Sequence, residues 1–149
     1  MIDIELFKIY LIGGMQNFGK DNFAESNNWR VYCQMGLEDF DSKLYRVKVY
    51  NPNDYFNFTD QSNQYNSERE VMELDLNKLR NSDMAIINFN DKYSLGSMAE
   101  LGIAYERHIP VMGLDINKQE LHPWQIEMCN RIFTDINEML SYVTEMYLI

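Results

Sequence analysis

Cysteine, proline and glycine are all scarce in this 149-residue chain, with two, three and seven copies. The two thiols, Cys33 and Cys129, have neither CxxC spacing nor a flanking histidine pair, which excludes a disulfide-stapled scaffold and leaves no zinc pattern. Both read as small buried hydrophobes. Positive charge is scarce as well: 13 basic against 23 acidic side chains give a net charge of −10. Such a surface is poorly suited to releasing counterions from duplex nucleic acid, so duplex nucleic acid is not an expected partner and small molecules are. A polyanionic ligand is compatible only where backbone N–H groups or a helix start offset the overall field. No run approaches the ~20 apolar residues of a membrane span, so a membrane partner is not expected. The opening Met1-Ile2-Asp3-Ile4-Glu5 carries acid where a secretory signal carries base, and no small-residue cleavage site follows. A cytoplasmic protein is the expectation.

The chain does have apolar and aromatic residues, at 46% and 13%, spread along its length. With no repeat, linker or low-complexity run, residues 1–149 read as one domain, able to bury about two thirds of its unfolded surface. Short apolar runs stop at turn chemistry. Lys8-Ile9-Tyr10-Leu11-Ile12 ends at Gly13-Gly14, and Tyr45-Arg46-Val47-Lys48-Val49-Tyr50 ends at Asn51-Pro52. Met84-Ala85-Ile86-Ile87-Asn88-Phe89 ends at Asn90-Asp91, and Pro110-Val111-Met112-Gly113-Leu114 ends at Asp115. These read as buried strands, with Arg131-Ile132-Phe133 as a fifth. Helical spacing covers residues 26–40, 67–80, 97–107 and 136–146, and Ser67, Ser97 and Asp135 each stand three residues before a glutamate, as N-caps do. The alternation predicts a single doubly wound α/β domain of the flavodoxin or Rossmann kind, with a mainly parallel five-stranded sheet and helices on both faces. In such sheets ligands bind beyond the carboxyl ends of the strands. That edge gathers Gly13, Gly14, Asn53 and its neighbours, the stretch from Asn88 through Asp91 to Gly96, and Asp115.

Three segments there could carry chemistry. Gly14-Met15-Gln16-Asn17-Phe18-Gly19-Lys20 fits GxxxxGK, but Asp21 stands where a Ser or Thr should meet Mg²⁺. The segment reads as a glycine-bearing loop, with a P-loop nucleotide hydrolase as the weak alternative. Ser94-Leu95-Gly96-Ser97-Met98-Ala99-Glu100 enters a helix, where Gly96 permits close backbone approach and Ser94 and Ser97 offer hydroxyls. Glu100 is either a functional carboxylate at the site edge or the N3 acid of a capping box. Asp75, between Leu74 and Leu76, is either a solvated helix acid or a carboxyl at the margin of a buried face, where desolvation lets it hold a proton near neutrality.

Together these residues resemble the nucleoside 2-deoxyribosyltransferase family, including the related nucleoside 5′-monophosphate N-glycosidases. The likeness runs in register from Lys8-Ile9-Tyr10 through Asp75-Leu76-Asn77-Lys78-Leu79, Asn81-Ser82-Asp83 and Gly96 to Glu100-Leu101-Gly102-Ile103-Ala104. It implies Glu100 as nucleophile, Asp75 as the acid and base that handles the nucleobase, and Tyr10 as the group that orients the glutamate. It also implies cleavage or transfer at an N-glycosidic bond through a glycosyl-enzyme, without cofactor or metal. The transferases carry an aspartate where this chain has Ser94; Ser94 with Ser97 is similar to the N-glycosidases, although the first loop lacks the serine and arginine those enzymes use. Family members complete each site from a neighbouring subunit, which implies a homo-oligomer and points to Asn130. His122-Pro123-Trp124 is either a pocket or interface element or a structural turn, and Tyr55 and Phe56 either stack on a base or cover the core. The alternative from another class is a binding protein that sequesters a nucleotide or a nucleotide-derived signal in the same pocket.

Overall fold

The computed structural model describes residues 3–15, 23–55 and 67–149. The GxxxxGK stretch from Gln16 onward and Phe56 therefore lie outside the described residues. Five strands, β1 (Glu5–Ile12), β2 (Tyr45–Tyr50), β3 (Met84–Asn88), β4 (Val111–Leu114) and β5 (Arg131–Phe133), form one sheet in the order β2-β1-β3-β4-β5. Every pairing is parallel, with Tyr10 opposite Tyr50 on one side and Ala85 on the other. Among the described residues five α-helices accompany the strands: α1 (Phe23–Glu38), α2 (Glu68–Arg80), α3 (Leu95–Glu106), α4 (Pro123–Glu127) and α5 (Ile136–Tyr147). The expected doubly wound architecture is thus present, and the sheet is wholly parallel.

The central strands read as unbroken apolar runs because both of their faces are covered. Successive side chains alternate between two cores. Ile9, Leu11, Met84 and Ile86 join Trp29, Cys33 and Leu37 of α1 and Met139 and Val143 of α5 on one face. Tyr10, Ile12, Ala85 and Ile87 join Leu79 of α2 and Leu101 and Ala104 of α3 on the other. Edge strand β2 alternates instead, with Arg46 and Lys48 exposed and Val47 and Val49 buried.

Two of the three expected N-caps hold: Ser67 accepts from the Glu70 N–H, and Asp135 accepts from the Glu138 N–H. The third is corrected. Ser94, not Ser97, caps α3, accepting from the Ser97 N–H at 3.4 Å, so the helix starts at Leu95. Both serines carry an acceptor, but Ser94 has the extended backbone that a cap needs (φ −61°, ψ 116°). Glu100 accordingly falls in the second turn, outside any capping box. Helix α1 starts three residues before the expected Ser26 and ends two before Phe40, and α4 was not expected. His122 caps α4 through Nδ1, which accepts from the Trp124 N–H at 3.1 Å, while the His122 N–H donates to Gln125 Oε1 at 2.8 Å. That is the structural-turn alternative for His122. Cys33 is buried and Cys129 partly so, and both are free thiols.

Candidate active site

From β1 the chain goes outward to β2 and then crosses back to β3, so the strand order reverses between β1 and β3. A crevice opens there beyond the carboxyl ends of the strands. Tyr10, near the end of β1, points to the α2/α3 face and is fully buried. Its ring stacks on Tyr50 at 5.3 Å, and Tyr50 stacks on Tyr55 at 5.0 Å, making a three-ring pile whose outer member is half exposed. Tyr50 Oη donates to Asp75 Oδ1 at 3.0 Å, which ties the last residue of β2 to α2. Glu100 of α3 faces Tyr10 and Asp75 from the other side. Tyr10 Oη and Glu100 Oε2 are both buried without a partner at ordinary hydrogen-bond geometry, although they interact with each other.

The electrostatics follow from this crowding. Burial pushes the Glu100 carboxyl up to about 7; the Tyr10 hydroxyl counteracts that rise, the Asp75 charge adds to it and the Arg30 charge opposes it. Burial also raises Asp75 to about 6, against the Tyr50 hydrogen bond and the Arg30 charge. Tyr10 is driven well above the ordinary phenol range, first by burial and then by the charges of Glu100 and Asp75. Two carboxyls that change protonation near neutrality, held beside buried phenols, can divide nucleophilic and proton-transfer roles.

Arg30 completes the cluster, and sequence reasoning missed it. It comes from α1 on the opposite face of the sheet, is fully buried, donates through Nη2 to the Gly13 carbonyl at 2.8 Å and through Nη1 to the Ser26 carbonyl, and stacks over Trp29 at 4.9 Å. Burial lowers it to about 10, opposed by Glu100, Tyr10 and Asp75 in that order. A signal was available: Ser26, Trp29, Arg30, Cys33 and Leu37 form the buried stripe of α1, and Arg30 is the charged residue on it. Tyr50 was missed too, having been read only as a strand residue.

The other sequence candidates fall into two groups. Gly13 and Gly14 lie buried just past β1, and at Gly13 the missing side chain matters: a Cβ would stand 2.7 Å from Trp29 Cζ2 and 3.1 Å from Arg30 Nη2. Asn53, past β2, is buried in an amide cluster, with Nδ2 donating to Asn27 Oδ1 at 3.2 Å beside Asn51. Asp91 lies in the turn after β3, where Oδ1 accepts from the Tyr93 N–H at 3.2 Å. Ser94 and Ser97 share a hydrogen bond of 2.9 Å between hydroxyls, and the Cβ position of Gly96 faces open space. All these residues sit along the carboxyl edge. Asn130 does not. It precedes β5, and its Oδ1 accepts from the Val111 N–H at 2.9 Å at the start of β4, so the parallel pairing puts it at the amino end of the strands. Within its own chain Asn130 therefore caps the start of β4, away from the carboxyl edge.

On the α1 side of the same edge, a cavity of about 330 Å³ is lined by Asn28, Trp29, Asn88, Phe89, Asn90 and Asn117 among others. Tyr10, Asp75 and Glu100 are not among its lining residues. Among the described residues no cluster of His, Cys, Asp or Glu could hold a metal ion, and no helix is long and apolar enough to cross a membrane.

The family model for nucleoside 2-deoxyribosyltransferase matches residues 9–139. Among solved structures, a conserved protein of Enterococcus faecalis V583 superposes with a TM-score of 0.70 at 16% identity, covering 94% of this chain and 98% of its own. The 2-deoxyribosyltransferase of Bacillus psychrosaccharolyticus superposes with a TM-score of 0.69 at 18% identity, covering 91% of each chain. The CMP N-glycosidase BcmB of Clostridium botulinum superposes with a TM-score of 0.58 at 16% identity, covering 93% of this chain and 98% of its own. At these identities the likeness is one of fold. No curated protein matches the sequence.

Proposed function

The chain belongs to the nucleoside 2-deoxyribosyltransferase family, and from that premise we propose that it cleaves or transfers at the N-glycosidic bond of a (deoxy)nucleoside or nucleotide through an ester on Glu100. The observation that carries the proposal is the convergence of Glu100, Tyr10 and Asp75 from three separate elements on the point where strand order reverses. In the ionised form a Glu100 oxygen attacks the anomeric carbon. The C–N bond breaks, its electron pair goes to the base, and the Asp75 proton moves to a ring nitrogen, so the base leaves neutral. An incoming base then displaces Glu100 and returns a proton to Asp75, giving a new nucleoside; water in its place gives the free sugar. Either second displacement restores the starting configuration at the anomeric carbon.

Gly96 and the free N–H groups at the start of α3 lie beside Glu100's helix turn and suit the sugar or its 5′ substituent. Ser94, neutral where an aspartate would repel phosphate, leaves both nucleosides and 5′-monophosphates as substrates. A second copy of the chain fits over the exposed Tyr93, Leu95 and Trp124, which flank that helix start.

The test is chromatography of the protein incubated with deoxynucleosides, ribonucleosides and their 5′-monophosphates, with and without a second free base, beside Glu100→Ala. A new nucleoside that appears only with the second base establishes transfer. Free base with sugar or sugar phosphate establishes hydrolysis. Substrate retained stoichiometrically and unchanged would overturn catalysis in favour of a sequestering protein, since tight ground-state binding gains a catalyst nothing.

A further inference from the structure

Tyr50 holds the last position of edge strand β2, where a ring without a hydroxyl would serve the core as well. In the parallel register it lies opposite Tyr10 of β1, so the two side chains project to the same face and stack at 5.3 Å with 15° between the rings. Tyr50 is 8% exposed, which leaves its ring little room to turn. The hydroxyl is thereby delivered to α2, where Oη donates to Asp75 Oδ1 at 3.0 Å. Asp75 is half-buried and takes no other hydrogen bond from a described residue. Tyr10 of β1, Glu100 of α3 and Arg30 of α1 stand within electrostatic reach of it, and of these four groups Tyr50 is the one that hydrogen-bonds to it. Burial and the Asp75 charge hold the Tyr50 phenol far above its ordinary range, so it stays a donor at every working pH. Oδ1 therefore accepts in both charge states of the carboxyl, and the proton that comes and goes belongs on Oδ2.

We propose that Tyr50 is a positioning residue of the reaction: by holding Asp75 Oδ1 it fixes the orientation of the carboxyl and presents Oδ2 as the oxygen that gives its proton to the departing base. The proposal rests on the reading of Asp75 as the acid. In the first displacement the Oδ2–H bond breaks, its electron pair stays on Oδ2, and the proton joins a ring nitrogen as the C–N pair moves onto the base. In the second, the incoming base or water gives a proton to Oδ2 as its own electron pair forms the new bond to the anomeric carbon. Tyr50 keeps its proton throughout. Without the tie the carboxyl is free to rotate and either oxygen can carry the proton, so proton transfer is impaired and substrate binding is not.

The experiment compares wild type with Tyr50→Phe, which keeps the stacked ring, on two substrates that differ in whether the base needs a proton to leave. The first is the ordinary nucleoside or nucleotide that wild type turns over fastest. The second has the same sugar and 5′ group but carries N7-methylguanine, already cationic, where purines react, or 5-nitrouracil, which departs as a stabilised anion, where pyrimidines do. On the first, kcat is expected to fall about tenfold to hundredfold, the range for a lost hydrogen bond to an ionisable group, with KM within about twofold. On the second, kcat stays within about twofold. The alkaline limb of kcat/KM on the ordinary substrate moves to higher pH, because the Asp75 carboxylate has lost a donor. Equal losses on both substrates, or none on either, overturn the proposal and leave the bond as a strap between β2 and α2, while turnover by wild type keeps the proposed reaction standing. If Tyr50→Phe does not fold, 3,5-difluorotyrosine installed at position 50 keeps both ring and hydroxyl and donates more strongly. The alkaline limb should then move to lower pH, and an unmoved limb overturns the proposal. Wild type that turns over neither substrate removes the reaction itself, and this role with it.

Discussion

The two faces of the sheet are made from alternate residues of the same strands and are finished differently. Under α1 and α5, Ile9, Leu11, Ile86, Met112 and Leu114 meet Leu37, Met139 and Val143 in an apolar core. Under α2 and α3, Ile12, Ala85 and Ile87 begin the same way, but at the carboxyl end the face turns polar with Tyr10, Tyr50, Asp75 and Glu100. Buried polar atoms without a well-formed hydrogen bond cost stability, and Tyr10 Oη and Glu100 Oε2, which meet each other outside ordinary geometry, are of that kind. One face therefore contributes stability, and the other gives some up to hold groups in reactive surroundings.

The sharpest way to break this division is Glu100→Gln. Turnover is expected to fall by at least about a thousandfold, as when a nucleophile is lost, while the melting temperature holds or rises. The sign follows from the displaced carboxyl. Its folded value, about 7, lies above its unfolded one, so the stability it contributes is fully present at low pH and is lost as pH rises through 7. Removing the group should raise stability at pH 8 relative to wild type and change it less at pH 4, by thermal melts at both. Melting lowered at both pH values would mean that Glu100 belongs to the scaffold.

Asp75→Asn should have the next largest effect, about a hundredfold to ten-thousandfold in kcat/KM, the range for a lost general acid. Wild-type kcat/KM should trace a narrow bell, because the reactive form carries one proton on the pair and the two carboxyls titrate near 6 and 7. In Asp75→Asn the residual rate should rise with pH and not fall again, since the group whose deprotonation gives the alkaline limb is gone. A bell of unchanged shape would move the acid to another residue.

Met139→Ala probes the opposite face. Met139 is fully buried on α5, so its truncation should cost about 2–5 kcal/mol in urea unfolding. In the protein that remains folded, kcat should stay within twofold. A tenfold loss there would show that the apolar face also sets the geometry of the site.

How much of this was legible from sequence depends on the range of the interaction. The strands were readable because each apolar run stops at its own local breaker, Gly13-Gly14, Asn51-Pro52, Asn90-Asp91 or Asp115, and their alternation with helical spacing carried the fold. The start of α3 was displaced by three residues because Ser94 and Ser97 offer the same acceptor, and only backbone angles choose between them. Helix α4 has five residues, too few to show a period. Glu100, Asp75 and Tyr10 could be named from sequence, but what brings them together is long-range, as in the Tyr50 bond to Asp75. The bond of Asn130 to the Val111 N–H is of the same long-range kind, nineteen positions apart in sequence.

The smallest expected effect tests where the reactive face ends. Tyr55 lies over Tyr50 with its rings nearly parallel, and half of its surface is open, so its outer side offers a flat platform at the margin of the carboxyl cluster. Stacking of a base on such a ring contributes about 1–3 kcal/mol, and a half-exposed ring belongs at the low end. Tyr55→Ala should therefore raise KM for the nucleoside about fivefold and leave kcat within twofold. Tyr55→Phe, which keeps the platform, should behave as wild type. If Tyr55→Ala instead lowers kcat and shifts the alkaline limb of the pH profile, the ring acts inward: it would hold Tyr50 against Asp75, and the polar face would extend outward through the whole three-ring pile.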